Sequence, residues 1–409
     1  MSFPLPIRPL RNARLLGLEP VGAASGADAS DLSGPEIIEI AEVAGVRGRG
    51  GAGFPLAVKL RSVASAAGSA RYVIANGEEG EPASVKDRFL SRERPELVLH
   101  GLALAARAVG ADRAYAYVSD LVAARRLAEA RGGDLMDVVR VTPGYVAGEE
   151  TAVVRAVGGG PALPTAKPPR PWQAGLDGAP TLVSNVETLA QLALAVRLGP
   201  DAYRRLGTPE SAGTFLVTLS GAWAAPALYE VPYGVPLREP VTAHLGTADG
   251  VTGVLAGGFA GGLLPPSALD LPLTHAALAG AGSTLGCGAF VLLAGDCPVA
   301  VAADVAAFFD RENARQCGPC VKGTAGVAGV LADLTVGAAT WSDVARLERW
   351  AQALAGRGNC ATPDAVTVLV GSLFRRHGDL VGEHLAGECG RCAVSHVTAD
   401  TRFRIYLEE

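Results

Sequence analysis

Several features that define other protein classes are absent from this chain of 409 residues. No stretch reaches the roughly 18 uninterrupted apolar residues that a helix needs to cross a bilayer, so the sequence predicts no membrane span. The first residues, MSFPLPIRPLRNARLLG, lack the apolar core of a secretory signal peptide. The chain has no long basic run, and its net charge of −5 argues against a surface that binds nucleic acid. We therefore expect a cytoplasmic protein.

Disulfide bonds are a further feature that the sequence argues against. The seven cysteines are an odd number, and a chain without an export signal normally keeps its thiols reduced. Two CxxC pairs with a lone cysteine between them indicate a metal ion or an iron–sulfur cluster. Those five residues lie in the last quarter of the chain: Cys317, Cys320, Cys360, Cys389 and Cys392. Cys287 and Cys297 stand among apolar residues and are predicted to be buried small side chains.

The composition is typical of a folded protein. Hydrophobic residues make up 49% and charged residues 19% of the chain, whose length is sufficient for two to four domains. Residues 1–33 show little periodicity and are expected to run extended over the surface. Residues 34–208 alternate between strand and helix patterns, and residues 209–296 contain short β-rich runs with turn prolines and glycines. Residues 297–409 have the pattern of four helices, which the cysteines interrupt or flank.

Four segments of the region 34–208 are predicted strands, each followed by polar residues or a helix. They are RYVIAN, RAYAYVSD, VVRVTPGY and TLVSN. Alternation of strands with helices predicts a parallel sheet covered by helices, with ligands at the carboxyl ends of the strands. Three of the loops that follow, GEEGEP, PGYVAGEET and SNVET, are rich in polar residues. Loops that a scaffold positions in this way commonly carry function.

A glycine-rich segment, GVRGRGGAGFPLAVK at residues 45–59, precedes the first of these strands. Glycine permits positive φ and close backbone approach, so such a run can direct N–H groups at an anion. Gly48, Gly50 and Gly53 formally spell GxGxxG. A dinucleotide fingerprint, however, follows a strand, whereas the segment before this loop, PEIIEIAEVAG, has helical periodicity. Taken alone, the segment is equally compatible with an anion cradle and with a surface turn.

Five motifs carry a resemblance to a known family. RGRGGAGFPLAVK, NGEEGEPASVKDR, GYVAGEETA, KPPRPWQAGLDGAPTLVSNVETLA and QCGPCVKG follow one another as in the NADH-binding flavoprotein subunit of respiratory complex I. Related subunits occur in NAD-linked hydrogenases and formate dehydrogenases. The resemblance covers nearly the whole chain and implies an α/β fold. A Rossmann-like FMN domain with a parallel sheet would precede a small β-grasp (soluble-ligand-binding-like) domain and a helical bundle carrying the iron–sulfur cysteines.

The resemblance also implies a function. NADH would reduce FMN, and single electrons would pass through a four-iron cluster to an iron–sulfur or ferredoxin-like partner, which could link the chain to a membrane complex. The implied FMN contacts are Gly48, Arg49, Gly50, Lys59, Asn76, Glu78, Glu79, Tyr145, Gly148, Glu149, Glu150, Ser184, Asn185 and Thr188. The implied nucleotide contacts are Phe54, which would stack on a base, Glu81, which would meet a ribose hydroxyl, and Lys167. No catalytic side chain is expected, because the flavin carries the reaction.

The cysteine pattern departs from the family. The family's motif is CxxCxxC with a distant fourth cysteine, but Ala314 takes the first of these positions, leaving Cys317, Cys320 and Cys360. A four-iron cluster normally takes four thiolates. We expect Cys389 or Cys392 to supply the missing ligand. The alternatives are that this pair is a free dithiol, a zinc site or a ligand for something else.

The nucleotide slot departs from the family as well. Arg170 stands where the family has a second aromatic, and Leu60, Arg61 and Ser62 replace the aromatic that typically follows the first lysine. A guanidinium can stack on adenine or pair with a 2′-phosphate, so NADP(H) is expected to be accepted at least as well as NAD(H). Two further alternatives remain open: a non-catalytic scaffold that retains the fold, and reverse electron flow from ferredoxin to NAD(P)+.

Overall fold

The computed structural model describes residues 7–9, 14–17, 32–68, 70–132, 135–222, 224–392 and 405. Its strands are β1 (Ile7–Pro9), β2 (Tyr72–Asn76), β3 (Arg113–Val118), β4 (Met136–Arg140), β5 (Thr181–Asn185), β6 (Thr214–Gly221), β7 (Ala227–Pro232), β8 (Gly253–Ala256), β9 (Leu263–Leu264) and β10 (Ala289–Leu293). Its α-helices are α1 (Gly34–Ala44), α2 (Leu56–Ala64), α3 (Lys86–Glu93), α4 (Pro95–Val109), α5 (Leu121–Ala130), α6 (Glu150–Val157), α7 (Val186–Leu198), α8 (Pro200–Arg204), α9 (Arg238–Leu245), α10 (His275–Gly280), α11 (Pro298–Glu312), α12 (Ala325–Thr335), α13 (Trp341–Leu354) and α14 (Thr362–Ala386).

A four-stranded parallel sheet has the order β4-β3-β2-β5. The chain winds outward through β2, β3 and β4, and then returns to add β5 on the other side of β2. In open α/β sheets ligands bind beyond the carboxyl ends of the strands, at the point where the strand order reverses. That point lies between β2 and β5, where Asn76 and Asn185 are register partners. The predicted parallel sheet is thereby confirmed.

The helices around this sheet place the glycine loop. The Glu36 carboxylate accepts a hydrogen bond from the Ser33 N–H (2.7 Å) at the start of α1. The apolar side of α1 is buried, and the helix ends at Gly45 with φ 70°. A left-handed residue stops a helix and turns the chain. The glycine loop therefore lies between α1 and α2.

Helices α4 and α7 approach each other closely beneath the sheet. A Cβ on Gly101 would lie 2.0 Å from the Leu189 carbonyl oxygen, so only glycine fits at this position. Helix α7 is buried on nearly every side, from Val186 to Val196. This packing fixes the start of α7, and with it Asn185, the N-cap residue of this helix.

The second sheet is mixed and has the order β1-β7-β6-β10-β8-β9. Strand β1 pairs in parallel with β7, and Leu15 and Leu16 are buried. Glu230 Oε2 accepts hydrogen bonds from the Leu15 N–H (2.8 Å) and the Leu16 N–H (3.1 Å). Leu15 and Leu16 thus depart from the prediction that residues 1–33 run over the surface, because a buried carboxylate holds their main chain; the remaining extent of this segment stays a prediction.

The C-terminal region is helical, as predicted. Helices α11, α12 and α14 share one hydrophobic core with β10, and α13 packs on α14. Phe308 and Phe309 of α11 lie edge-on to Tyr145, with ring centroids 5.5 and 5.3 Å apart. The bundle thus forms part of the wall behind the loop that follows β4. None of the described helices is both long and apolar enough to cross a bilayer.

The fold class is confirmed as α/β with a parallel sheet and a helical C-terminal region. Helix α3 was not expected, because its sequence KDRFLSRE is too polar to show helical periodicity. The domain boundaries 34–208, 209–296 and 297–409, and the β-grasp character of the middle region, remain predictions.

Candidate functional site

Two adjoining cavities lie beyond the carboxyl ends of β2 and β5. Their volumes are about 800 and 290 Å³, the larger lying within the usual range of small-molecule sites. The residues common to both walls are Gly50, Asn76, Gly148, Glu149, Asn185 and Ala361. Predicted contacts that line only the larger cavity are Gly48, Phe54, Lys59, Glu150, Arg170, Ser184 and Thr188. Those that line only the smaller cavity are Glu78, Glu79, Glu81, Tyr145 and Cys360.

The glycine loop closes on itself at one side of these cavities. The Gly48 N–H donates to the Phe54 carbonyl oxygen (2.8 Å), which draws the two ends of the loop together. Gly53 has φ 60°, and a Cβ there would lie 2.5 Å from the His275 ring. Gly50 lines both cavities, and only Asn185 Cβ lies near its missing side chain, at 3.5 Å. The backbone of the loop is thus accessible to a ligand, as a phosphate cradle requires.

Arg49, predicted to contact FMN, has a buried guanidinium that faces away from the cavities. It donates to the Thr214 carbonyl oxygen (3.1 Å) and to the Tyr233 hydroxyl. The main-chain N–H of Arg49 donates to Thr188 Oγ1 (2.8 Å). The side chain therefore anchors the glycine loop to the second sheet, and any contact with a bound ligand falls to its main-chain atoms.

A buried set of charges holds Asn185 in place. Lys86 Nζ lies 2.7 Å from Asp87 Oδ1 and 3.1 Å from Glu187 Oε2. Asn185 Nδ2 donates to Asp87 Oδ2 (2.8 Å). Burial raises the pKa of Asp87 to about 7, although Lys86 opposes the shift. The sequence reasoning missed Lys86, Asp87 and Glu187, although each lies within a motif that it singled out.

The acidic loop after β2 is held by side chain to main chain hydrogen bonds. Asn76 Nδ2 donates to the Gly148 carbonyl oxygen (2.8 Å), and Asn76 Oδ1 accepts from the Glu78 N–H (3.2 Å). Glu78 Oε1 accepts from the Gly144 N–H (3.1 Å). Glu78 Oε2 is buried without a hydrogen-bond partner among the described residues, and burial raises the pKa of this carboxyl. A ligand with a hydroxyl or N–H donor would satisfy that oxygen.

Glu79 and Glu149 have structural roles beside the ligand space. Glu79 accepts from the Asp87 N–H and the Arg88 N–H (both 3.2 Å) at the start of α3. Glu149 caps α6 and lies 2.7 Å from Lys167 Nζ. Lys167 is engaged in this way and lines neither cavity, so its contact with a nucleotide stays a prediction.

Glu81 connects the acidic loop to the second sheet. Its carboxylate accepts from the Phe259 N–H (3.0 Å) and the Ala83 N–H (3.3 Å). Burial raises its pKa to about 7. Glu81 is thus a carboxyl at the edge of the ligand space that can be protonated near neutral pH.

Aromatic and basic side chains surround the outer end of the larger cavity. Phe54 is 45% and Trp172 37% exposed, which leaves both rings available for stacking. Arg170 Nη1 lies 3.7 Å from Glu150 Oε1. Lys59 Nζ lies 3.4 Å from the Val183 carbonyl oxygen, and burial lowers its pKa. Trp172 was missed by the sequence reasoning, although it belongs to the quoted motif KPPRPW.

Three cysteines, Cys317, Cys320 and Cys360, lie near one another on the side of the smaller cavity. Cys360 lines the smaller cavity, and the thiols of Cys360 and Cys317 lie close enough to Cys320 to raise its pKa. None of the three forms a disulfide. The neighbouring Cys320 thiol lowers the pKa of Cys360 to about 6, against the opposing effect of burial. Ala314 packs in the same small cluster as Cys360, so the family's first ligand position adjoins the thiols without contributing one. We call Cys317, Cys320 and Cys360 the cavity thiols.

The other pair of cysteines lies elsewhere. Cys389 and Cys392 form a compact group with Cys297 and His384. Helix α14 runs from Thr362, beside Cys360, to Ala386, beyond His384. Helix α11 lies between the two groups, because Cys297 is its N-cap residue and Ala314, which packs with Cys360, follows its end. At about 1.5 Å per residue, its 15 residues separate the groups by about 20 Å. The expectation that Cys389 or Cys392 completes the first cluster is therefore corrected. We call Cys297, Cys389 and Cys392, together with His384, the distal thiols.

Comparisons with known proteins agree with this architecture. Residues 41–194 match the family described as the Nuo51 FMN-binding domain, and residues 300–384 match the NADH-ubiquinone oxidoreductase-F iron–sulfur binding region. An NADH-quinone oxidoreductase subunit of Rhizobium meliloti (strain 1021) is 35% identical over 343 residues, which are 78% of this chain and 82% of that protein. The corresponding subunit of Aquifex aeolicus (strain VF5) is 34% identical over 338 residues, which are 77% of this chain and 78% of that protein.

Solved structures are similar over a comparable extent. An NAD+-reducing [NiFe]-hydrogenase in the air-oxidized state matches with a TM-score of 0.85 and 32% identity, over 97% of this chain and 72% of the other. The H2-reduced state matches with a TM-score of 0.80 and 34% identity, over 88% of this chain and 63% of the other. The resemblance that the motifs indicated is confirmed: the chain belongs to the family of NADH-quinone oxidoreductase subunits that carry this FMN-binding domain and this iron–sulfur binding region.

Proposed function

We propose that this chain is an electron-input module, in which NADH binds beside FMN in the two cavities and electrons leave through the cavity thiols. The observation that carries the proposal is that Cys360 lines the same cavity as Gly50 and Asn185. Bound FMN would supply the chemistry that accepts a hydride and releases single electrons. The family's NADH-quinone oxidoreductases and the hydrogenase structures support this function.

The residues present fit FMN. N–H groups of the glycine loop and the ammonium of Lys59 suit a phosphate. The unpartnered Glu78 Oε2 suits a ribityl hydroxyl or a ring N–H. Asn76 and Asn185 are held rigidly by their own hydrogen bonds, so they can orient a ligand without reorganising. Gly50, Lys59, Asn76, Glu78 and Asn185 are therefore our proposed core of the flavin site.

The outer end of the larger cavity suits the nicotinamide nucleotide. Phe54 and Trp172 offer ring faces for a base, while Arg170 offers a charge for a phosphate. The placement of Arg170 favours NADPH as a second substrate, since a guanidinium suits a 2′-phosphate. We propose NADH as the principal donor, because the relatives are NADH-quinone oxidoreductases. NADPH is the alternative donor, which Arg170 would favour.

The cavity thiols are our proposed iron–sulfur ligands. Cys317, Cys320 and Cys360 would hold three corners of a cluster, and Ala314 leaves the fourth without a thiolate. Electrons would then pass to an iron–sulfur or ferredoxin-like partner subunit. The open corner also supports the scaffold alternative, because an incomplete ligand set can lose its cluster.

The experiment compares two glycine variants after anaerobic purification. Gly50→Val places a side chain in the ligand space, whereas Gly280→Val adds the same atoms where no heavy atom lies within 4 Å. We expect wild type and Gly280→Val to retain FMN and to reduce a one-electron dye with NADH. Gly50→Val should bind FMN at least about tenfold more weakly. A colourless wild-type protein, or equal flavin content in the two variants, would contradict the proposal.

A further inference from the structure

The distal thiols have the geometry of a site for a single metal ion. Ligand atoms of Cys297, His384, Cys389 and Cys392 all lie within 4.8 Å of one another. Cys297 Sγ is 3.2 Å from His384 Nε2 and 4.0 Å from Cys389 Sγ, and Cys392 Sγ is 3.7 Å from His384 Nε2. A tetrahedral zinc ion with Zn–S bonds of about 2.3 Å separates its sulfur ligands by about 3.8 Å. The four side chains thus already stand close to tetrahedral edges.

The histidine is oriented for coordination. His384 is buried, and its Nδ1 lies 3.0 Å from the Leu334 carbonyl oxygen. A carbonyl accepts but cannot donate, so Nδ1 carries the proton and the lone pair of Nε2 faces the three sulfurs. Metal-binding histidines are characteristically fixed in this way by a second hydrogen bond.

Two parts of the chain that are distant in sequence build the group. Cys297 is the N-cap residue of α11, and His384 lies in the last turn of α14. Gly387 ends α14 with φ 72°, which turns the chain so that the CxxC segment returns to the start of α11. Cys297 is wholly buried, so an oxidant has little access to it. These features indicate a built site rather than a chance encounter of thiols.

We propose that Cys297, His384, Cys389 and Cys392 bind one zinc ion, separate from the iron–sulfur cluster. Three thiolates and one imidazole form a closed tetrahedral set, which is typical of structural rather than catalytic zinc. Binding would release the thiol protons and stabilise the fold. A four-iron cube attaches each ligand to a different iron, so it needs wider spacing than this group provides.

The role of this zinc follows from its position. It joins the start of α11 to the end of α14. Helix α11 packs Phe308 and Phe309 against Tyr145 beside the cavity, and the chain just before α14 carries Cys360. The ion would therefore hold together the two helices that support the cavity thiols, without taking part in electron transfer.

The test is element analysis of the full-length chain purified without added metal. We expect about one zinc per chain in wild type. The double variant Cys389→Ser/Cys392→Ser should lose zinc and keep its iron. Cys317→Ser/Cys320→Ser should do the reverse. Cys287→Ser, which alters a thiol outside both groups, should keep both metals, and His384→Cys should keep zinc by offering a fourth thiolate.

A second measurement does not depend on whether the variants fold. X-ray absorption at the zinc edge of wild type should show about three sulfur neighbours at about 2.3 Å and one nitrogen at about 2.0 Å. Wild type without zinc, or zinc with four sulfur or all-oxygen neighbours, would overturn the proposal.

Discussion

Two groups of cysteines lie near opposite ends of α14, and they differ in what surrounds them. The cavity thiols border a space lined by flavin-family motifs, and an alanine stands where a fourth ligand is expected. In the distal thiols the three cysteines are joined by a fourth side chain, the buried His384, whose ring is held by a hydrogen bond to a backbone carbonyl. The first group is open toward a ligand cavity, whereas the second is closed on itself.

This difference teaches that cysteine spacing identifies metal-binding residues but not their grouping. Both groups contain a CxxC pair, and sequence alone allowed one pair to complete the other. The length of α11, which lies between the groups, forbids this, and two residues without a motif, Cys297 and His384, complete the distal group instead. We propose that a redox role and a structural role are separated in this way.

The strongest way to break the comparison is Cys360→Ser. Because Cys360 borders the cavity and contacts Cys320, the variant should lose most of its iron, and NADH-dependent reduction of a ferredoxin-type acceptor should fall to background. Zinc should stay at the wild-type level. Iron and zinc analysis with acceptor assays checks this, using Cys389→Ser/Cys392→Ser as the matched variant of the other group. Retained iron in Cys360→Ser would count against the assignment.

Glu81→Gln tests whether a buried carboxyl beside the cavity has a raised pKa, a feature that the distal group does not have. Burial raises the pKa of Glu81 from 4.5 to about 7. Below about pH 4.5 the carboxyl is protonated in both the folded and unfolded chains. Between that pH and about 7 only the unfolded chain releases the proton, so the free energy of unfolding falls as pH rises, by up to about 3 kcal/mol.

Urea unfolding of wild type and Glu81→Gln at about pH 5 and pH 8 measures this effect. The variant lacks the titration, so its stability relative to wild type should increase by about 3 kcal/mol between the two pH values. Parallel pH profiles for the two proteins would show that Glu81 is not held at a raised pKa.

Arg170→Phe sharpens the description of the outer cavity. Arg170 is 58% exposed and its contact with Glu150 is long (3.7 Å), so it can meet a phosphate, and its loss should raise the KM for NADPH about tenfold, or about 1.4 kcal/mol. The KM for NADH should stay the same or fall, because phenylalanine adds a stacking face. Steady-state dye reduction with each nucleotide checks this, with Arg346→Phe as an exposed control. Equal shifts for both nucleotides would remove the assigned role of Arg170.

Ala314→Cys should have the smallest effect. A cysteine here would give the cavity thiols the family's fourth ligand, since Ala314 already adjoins Cys360. We expect the iron content to rise toward about four per chain and the cluster to survive air longer. Zinc should not change. An unchanged iron content would indicate that another group already completes the cluster.

The sequence predicted those parts of the fold that local pattern determines. Strands β2 and β5 have clear apolar runs, and the helices on both sides of the glycine loop have clear periodicity, so the parallel sheet and the position of the loop were predictable. The motif residues Asn76, Glu78 and Asn185 were likewise found, and they meet at one end of the sheet because parallel strands end there.

What the sequence could not predict depends on long-range packing. Strand β1 has three residues and no alternation, so its pairing with β7 was not predictable. The direction of the Arg49 guanidinium depends on Thr214 and Tyr233, which belong to another region of the chain. Cys297 and His384 are 87 positions apart and meet only when α11 packs against α14.

The separation of a redox group from a structural group is tested most directly by electron paramagnetic resonance of NADH-reduced protein. Wild type and Cys389→Ser/Cys392→Ser are compared at equal flavin content under anaerobic conditions. We predict the same iron–sulfur signal in both proteins. Loss or change of that signal in the double variant would contradict the separation, because the distal thiols would then belong to the electron path.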